Sequence, residues 1–499
     1  MFSVRTSWLS SAAAISRTTN WLRLSIMPEL STGHDRHRIR IFSSKRPMKR
    51  AILKFLTTVL FYLSSVANVY ADTTVFVNVN VVPMSSEVVL AQQSVVVVDG
   101  KIAQIGHVDT VPVPKGSTVV DGTDRFLMPG LAEMHAHVTS VDPDQIDRLS
   151  TLFIANGITT IRGMLGEPSH LVLREKFESG EVFGPRLITS GPSLNGRSVS
   201  GAADAARQVR EQKAAGYDFV KVHPGLSREE FLALAETANE IGMPYAGHVP
   251  VAAGVRQALQ NNMATIDHLD GYFAALLPAE NSGSGGYGGF FDVLLADQLV
   301  ADDIAGLVAA TKASGTWNVP TEVLVEQLID DTAVTELRIR PETRYVPAAT
   351  VRDWMAQKEA QLSDRDFDPE TAALAIKLRR RLILELYRAG AGLLLGSDAP
   401  QTFNVPGFSI HRELMALVAA GLTPFEALRT GTAEVARFLG SNGGGVAEGK
   451  DADLILLDAN PLDDIRNSQR IHGVMLRGVW HPASELQNRL ERYAIQEGG

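Results

Sequence analysis

"AEMHAHV", residues 132–138, sets His135 and His137 one residue apart in a chain with only twelve histidines. Side chains two apart on a strand point to the same face. If the segment is a strand lining a barrel, both imidazoles enter the interior near one mouth. Two neutral imidazoles converging there make half a site for a divalent transition ion. Taken alone, the pair fits two buried, hydrogen-bonded histidines equally well, so the surrounding pattern has to decide.

Working outward, short β runs alternate with helical patterns. The β runs are "LAEMHAHV", "GITTIRGM", "PRLITSG", "YDFVKVHP", "MPYAGHV", "ATIDHLD", "TWNVPTEV" and "GAGLLLGSDA". Segments such as "AADAARQVREQKAAG" and "REEFLALAETANEIG" carry helical periodicity between them. Eight βα units predict an α/β chain folded as a (β/α)8 TIM barrel over residues 127–440, with function at the C-terminal strand ends. That span exceeds the about 250 residues usual for the fold. The excess falls after the sixth β run and around the seventh. It includes the glycine-rich "ENSGSGGYGGFF", residues 280–291, read either as a lid or as a passive insertion. Before the barrel, "TTVFVNVNVV" and "QQSVVVVDGKIAQIGHV" read as strands with an Asp99-Gly100 turn. After it, "ADLILLDANPL" and "IHGVMLRGVWH" do too. Residues 72–126 and 441–482 are therefore expected to share a small β-sandwich domain built from both ends of the chain, followed by a C-terminal helix over 483–499. "GKDADL", residues 449–454, is a turn into that sheet and not a phosphate loop.

Residues 1–71 hold eleven Lys/Arg and two Asp/Glu, a net of +9 within a chain total of −9, so the remainder carries −18. The body is acidic, and nothing in it suggests a nucleic-acid footprint. With no cysteine there is no disulfide framework and no thiol nucleophile. Met48-Lys49-Arg50, the apolar run after it, and Val69 and Ala71 before Asp72 predict that residues 48–71 are a signal peptide cleaved after Ala71, the alternative being an uncleaved membrane anchor. The expectation is export, to a bacterial periplasm, with no stable membrane association after cleavage. Residues 1–47 read as a non-structural extension, with Met1 and Met48 both open as the start.

The remaining β-run ends carry Lys221, His248, His268 and Asp398. Four of the ten histidines that follow the signal occupy such positions, counting His135 and His137. With them, "FLMPGLAEMHAHV", "HRELMALVAAGLTPFEALRTGTAEVARFLG" and "VAEGKDADLILLDANPL" resemble the signatures of the amidohydrolase superfamily of metal-dependent hydrolases. The likeness runs from about residue 74 to residue 481 and is nearest the imidazolonepropionase-like and prolidase-like branch. That resemblance implies two divalent ions. His135, His137 and Asp398 hold one, His248 and His268 the other, and Lys221, condensed with carbon dioxide as a carbamate, bridges them. A free ammonium beside two dications would be repelled. The alternative is a lysine paired with Asp398 in a one-metal or metal-free site.

Single-metal deaminases of the superfamily usually lack the strand-four lysine and keep an acid soon after the sixth-strand histidine. "IDHLDGY" has Asp267 and Asp270 but no glutamate nearby, which favours two-metal hydrolysis. The implied reaction is cleavage of a C–N bond in a small amide, such as a dipeptide or N-acyl amino acid, by metal-activated hydroxide. Asp398 carries the proton from water to the leaving nitrogen. Zinc is the default ion for an imidazole and carboxylate set. The rivals are a lactonase, esterase or phosphotriesterase with the same metals, and a non-catalytic binding protein on the same scaffold. A homo-oligomer is an expectation from the resemblance alone. Among the neighbours, His223 shares the face of Lys221 and either binds substrate or caps the strand end. Arg162 and Tyr345 either hold a substrate carboxylate or oxyanion, or form an ion pair and a packed aromatic. His411 is a further candidate for the mouth. His107, His170, His472 and His481 read as structural, and Glu133 as lying outside the metal shell.

Overall fold

The structure, a computed structural model, describes residues 73–278, 290–300, 303–364 and 367–494. The proposed extension, the signal peptide and most of the glycine-rich loop lie outside the described residues.

The chain enters through β1 (Thr73–Val81), whose alternation buries Val75, Phe76, Val79 and Val81. It pairs antiparallel with β2 (Leu90–Val98), which turns back into β3 (Lys101–His107). The turn residues Asp99 and Gly100 have φ of 49° and 74°. Two consecutive left-handed residues are what a tight hairpin between right-twisted strands requires. Strands β4 (Thr118–Asp121) and β5 (Phe126–Pro129), which the sequence reading does not anticipate as strands of this sheet, both run parallel to β1. Late in the chain come β13 (Leu454–Leu457), β14 (Ile471–Leu476) and β15 (Val479–Pro482). They complete one eight-stranded sheet in the order β15-β14-β13-β5-β1-β2-β3, with β4 beside β1. Both ends of the chain thus meet through β5 and β13, paired antiparallel. Leu127–Pro129, placed in the barrel from sequence, belong to this sheet instead.

Between these ends lie two parallel sheets. One is β6 (Leu131–Ala136), β7 (Ile158–Gly163) and β8 (Arg186–Thr189) in that order. The other is β9 (Val220–Val222), β10 (Tyr245–Gly247), β11 (Thr265–Asp267) and β12 (Trp317–Val319), also in sequence order. Most of these strand residues are buried, as expected of parallel strands covered by helices. Parallel bridges Ser190↔Phe219 and Leu194↔Val222 join the β8 side to β9. At the other edge, Asn318↔Leu393 and Ala136↔Ala399 tie residues 393–399 between β12 and β6. The eighth β run of the sequence reading is therefore present only as isolated bridges, and it ends at Asp398, whose φ of 62° is left-handed.

The covering helices follow elementary rules. Arg228–Ile241 starts at Ser227, whose hydroxyl accepts from Glu230 N while the Glu230 carboxylate accepts from Ser227 N. It ends at Gly242, φ 64°. Phe231, Leu234, Ala235 and Ala238 fall on one stripe and are buried. Burying each of the two large side chains stabilises by roughly 1.5–3 kcal/mol, and losing the Ser227 cap would cost about 1 kcal/mol. After β12 the chain adds the helices Glu322–Ile329, Val334–Arg338, Ala348–Leu362 and Pro369–Ala389. Among the described residues, no helix is long and apolar enough to cross a membrane.

Candidate metal centre

The C-terminal ends of the parallel strands bring six histidine, lysine and aspartate side chains together. His135 lies on β6 and His137 just beyond it. Their Nε2 atoms approach Asp398 Oδ1 at 3.7 and 2.7 Å. One ligand atom from each of the three lies within 4.8 Å of the others. The His268 ring stands 4.6 Å from the rings of both His135 and His248, centre to centre. Its Nδ1 is 3.8 Å from Asp398 Oδ2. Lys221, on β9, is fully buried, with its Nζ 3.9 Å from Asp267 Oδ2.

The backbone is bent to achieve this. His268, Leu269, Thr321 and Asp398 all have positive φ, at 63°, 56°, 46° and 62°. Left-handed geometry is costly for a side chain, above all a β-branched one, and clusters at functional sites. Two glycines make room. A Cβ on Gly247 would fall 2.7 Å from Lys221 Cδ, and one on Gly396 would fall 2.9 Å from His135 N.

Burial sets the charge states. It holds His135 and His268 well below the usual imidazole range, so both are neutral, the form that ligates a metal. Burial also pushes the Lys221 ammonium down, opposed by Asp267 and Asp398. For Asp398, burial pushes the carboxyl up. His135, His137 and Lys221 outweigh it and hold the group below its ordinary value.

Three of the ring nitrogens face side-chain oxygens. His248 Nδ1 meets Asp270 Oδ2 at 2.6 Å, and His268 Nδ1 meets Thr321 Oγ1 at 2.8 Å. His135 Nδ1 faces Asp267 Oδ2 at 3.0 Å, off the angle of a hydrogen bond. Carboxylates and hydroxyls in these positions fix the tautomer that leaves Nε2 free to bind an ion. Among the described residues, His135 Nδ1, Lys221 Nζ and Asp267 Oδ2 are buried without a hydrogen-bond partner. Buried polar atoms without partners are rare, and here they converge with neutral imidazoles and an ionised carboxylate. That donor set fits a divalent cation.

Sequence reasoning passed over several of these groups. Asp267 and Asp270 were seen only as the absence of a glutamate. Asp267 sits at the centre, receiving Arg162 Nη2 at 3.3 Å and Thr265 Oγ1 at 2.8 Å. Alternation along β11 could have hinted at it, since Asp267 shares a face with Thr265 and not with His268. Thr321 left no signal, because its partner lies 53 residues away in sequence. Glu133 braces the segments that carry His135 and Asp398. Its carboxylate accepts from His135 N at 3.1 Å, Ser397 N at 2.7 Å and the Ser397 hydroxyl. Burial pushes it up to about 8 against those bonds.

Other candidates land elsewhere. His223 stacks on His248 with ring centres 5.1 Å apart. Burial, then the neighbouring charges of Lys221, His248 and His137, push it down to about 2. Arg162 is a correction: it lies within β7 and is buried. Its guanidinium donates to Met134 O at 2.7 Å, Thr265 Oγ1 at 3.1 Å and Asp267, which leaves it bound within the interior and not presented to substrate. Tyr345 is also corrected. It is buried, stacked on Phe408 and clustered with Leu152 and Leu490, which is the packed aromatic of the alternative reading. His411 likewise packs inward, its Nδ1 2.9 Å from Ser468 Oγ.

These buried imidazoles and carboxylates at parallel strand ends form a candidate cation site, with His135, His137 and Asp398 as its tightest group. A model of the amidohydrolase family matches residues 126–481, and the chain belongs to that family. It is a hydrolase acting on carbon–nitrogen bonds. The ochratoxinase of Aspergillus niger is 24% identical to it over 411 residues, spanning 76% of this chain and 79% of that enzyme. Bottromycin amidohydrolase superposes with a TM-score of 0.64 at 25% identity, covering 85% of this chain and 91% of its own. A Xaa-Pro dipeptidase solved with methionine in its active site gives a TM-score of 0.59 at 18% identity, covering 82% and 100%. The mixed α/β fold is common to them.

Proposed function

We propose that the chain is an exported, two-metal amidohydrolase that cleaves the amide bond of a small substrate, such as a dipeptide or an N-acyl amino acid. The observation that carries the reading is the group of His135, His137 and Asp398, whose ligand atoms lie within 4.8 Å of one another, with the His268 ring between those of His135 and His248 and the Lys221 and Asp267 polar atoms buried without hydrogen-bond partners. Membership of the amidohydrolase family and the name of the bottromycin amidohydrolase support hydrolysis of an amide. The bridges at residues 190, 194, 318 and 399 support closure of the two parallel sheets into one eight-stranded barrel.

His135, His137 and Asp398 would hold one ion, and His248 and His268 the second, with zinc the ion best suited to the set. Lys221 is proposed to carry a carbamate, its neutral amine nitrogen bonding to carbon dioxide and releasing one proton. Bound ions of this kind supply a water activated near neutral pH and a polarised substrate carbonyl. The protein's own part is proton handling and orientation. Asp398, held ionised by its histidines, accepts a proton from the attacking water and returns it to the leaving nitrogen. His223, neutral and stacked on His248, offers a hydrogen bond to substrate. Residues 48–71 are proposed to direct export to the periplasm before removal.

The test is a panel of Xaa-Pro dipeptides, N-acyl amino acids and lactones given to the purified chain, before and after chelation. Amide hydrolysis abolished by the chelator and restored by zinc with bicarbonate supports the reading. Turnover of lactones or esters alone would replace it with the ester-cleaving alternative. No turnover, with no ion taken up, would leave a binding protein.

A further inference from the structure

Helix Pro369–Ala389 packs Ala372, Ala375, Leu382, Ile383 and Leu386 inward, and among them it buries one cation, Arg379. All three guanidinium nitrogens are engaged. Nε meets Glu322 Oε2 at 2.9 Å, Nη1 donates to His268 O at 2.9 Å and Nη2 to Pro320 O at 3.2 Å. The two carbonyls belong to the strand ends that supply His268 and Thr321, both of them left-handed. His268 is therefore gripped at three points. Its N–H donates to Val319 O at 2.8 Å, its Nδ1 meets Thr321 Oγ1, and its carbonyl accepts from Arg379. A carbonyl turned away from its strand ladder has to find another donor. Glu322 is itself fixed, since the amides of Glu322 and Val323 donate to the buried Glu413 carboxylate at 3.0 and 2.7 Å.

We infer that Arg379 is a positioning residue for the second metal, holding His268 and its partner Thr321 in the strained geometry that aims His268 at the ion. The inference rests on the metal-centre reading proposed above. Lysine cannot replace arginine here, because a single ammonium does not span three acceptors arranged in a plane.

The experiment measures zinc stoichiometry and the two zinc affinities by equilibrium dialysis of the full chain. It compares wild type, Arg379→Lys, Arg379→Met and the control Lys358→Met. Lys358 is equally buried and belongs to the same insertion. Among the described residues its amine bonds to Gln327 O and to the backbone and side chain of Asp330, none of them a proposed ligand. Loss of a supporting partner typically weakens a metal about 10–100-fold. That loss is expected in both Arg379 variants at the ion of His248 and His268 alone, while the ion of His135, His137 and Asp398 stays bound. Lys358→Met should lower the denaturation midpoint and leave both affinities as they were. Arg379→Lys with two ions as tight as wild type overturns the inference, as does loss of both affinities by an equal factor. Should the Arg379 variants fail to fold, Thr321→Val removes only the bond to His268 Nδ1. It is expected to weaken the same ion, and unchanged affinity there counts against the inference. A wild-type chain that takes up no ion refutes the metal reading itself, a result distinct from any pattern among the variants.

Discussion

Gly247→Ala probes the cage with one methyl group. Gly247 closes β10 at φ 120°, immediately before His248, and pairs with Val222 in the register of β9. An added Cβ would lie 2.5 Å from Val222 O, 2.7 Å from Lys221 Cδ and 2.9 Å from Lys221 Cε. Val222 O cannot retreat, because it accepts the His248 N–H at 3.0 Å. The strain must then move Lys221 or the end of β10. Forcing an L side chain into positive φ costs about 1–2 kcal/mol, and overpacking adds about 1–3 kcal/mol. The sum, roughly 2–5 kcal/mol, is a large part of the about 5–15 kcal/mol by which domains are stable. Gly242→Ala is the matched control. Gly242 has φ 64° and nothing within 4 Å of its Cβ position, so it carries the conformational cost alone. Urea midpoints and metal content per chain are the assays. Gly247→Ala should fall below Gly242→Ala by the packing share, about 1–3 kcal/mol, and should lose bound metal. Equal midpoints and full metal content in both variants would refute the packing of Gly247 against Lys221.

Four further outcomes are expected. Lys221→Ala should abolish the stimulation of activity by bicarbonate and lower metal content, read by elemental analysis; an intact metal pair would remove the carbamate from the account. Asp398→Asn should lower kcat by about 10²–10⁴-fold, the usual worth of a proton-transfer group, with KM little changed at saturating metal; a change confined to KM would argue against that role. Arg162→Met should cost about 3–5 kcal/mol in urea unfolding by stranding Asp267 without its cation, and a pure rise in KM at unchanged stability would return Arg162 to the substrate. Burial pushes His411 down to about 4, so the native state refuses a proton that the unfolded chain takes up near 6.5. Its contribution is complete above pH 6.5 and is lost as pH falls towards 4, on the order of 3 kcal/mol. His411→Gln should flatten the stability profile in that window relative to wild type; parallel profiles would contradict it.

Much of the site was legible because strand alternation and strand ends are local facts. His135 and His137 share a face by spacing, and Lys221, His248, His268 and Asp398 each close a short apolar run. The turn at Asp99-Gly100 was legible for the same reason, and its two positive φ values agree. What escaped was set by neighbours distant in sequence. Asp267 looks like one more acid beside a histidine until β11 is placed opposite β6 and β7, where it meets His135 and Arg162. Thr321 and Arg379 matter only because the insertion after β12 folds back over His268. Arg162 misled because an arginine near a strand end reads as a mouth residue. Its neighbours Met134, Thr265 and Asp267 are what turn it inward. The residues near 393–399 read as a strand from their apolar run, yet the left-handed turn at Asp398 breaks the ladder there.

The central claim is that two cations share one cage of side chains. A crystal structure of the zinc-loaded chain, with anomalous data on both sides of the zinc edge, tests it most directly. The account predicts two anomalous peaks, one among His135, His137 and Asp398 and one beside His248 and His268, with added density beyond Lys221 Nζ between them. Zinc-loaded crystals with no anomalous peak at these residues, and a bare Lys221 paired with Asp267, would contradict it.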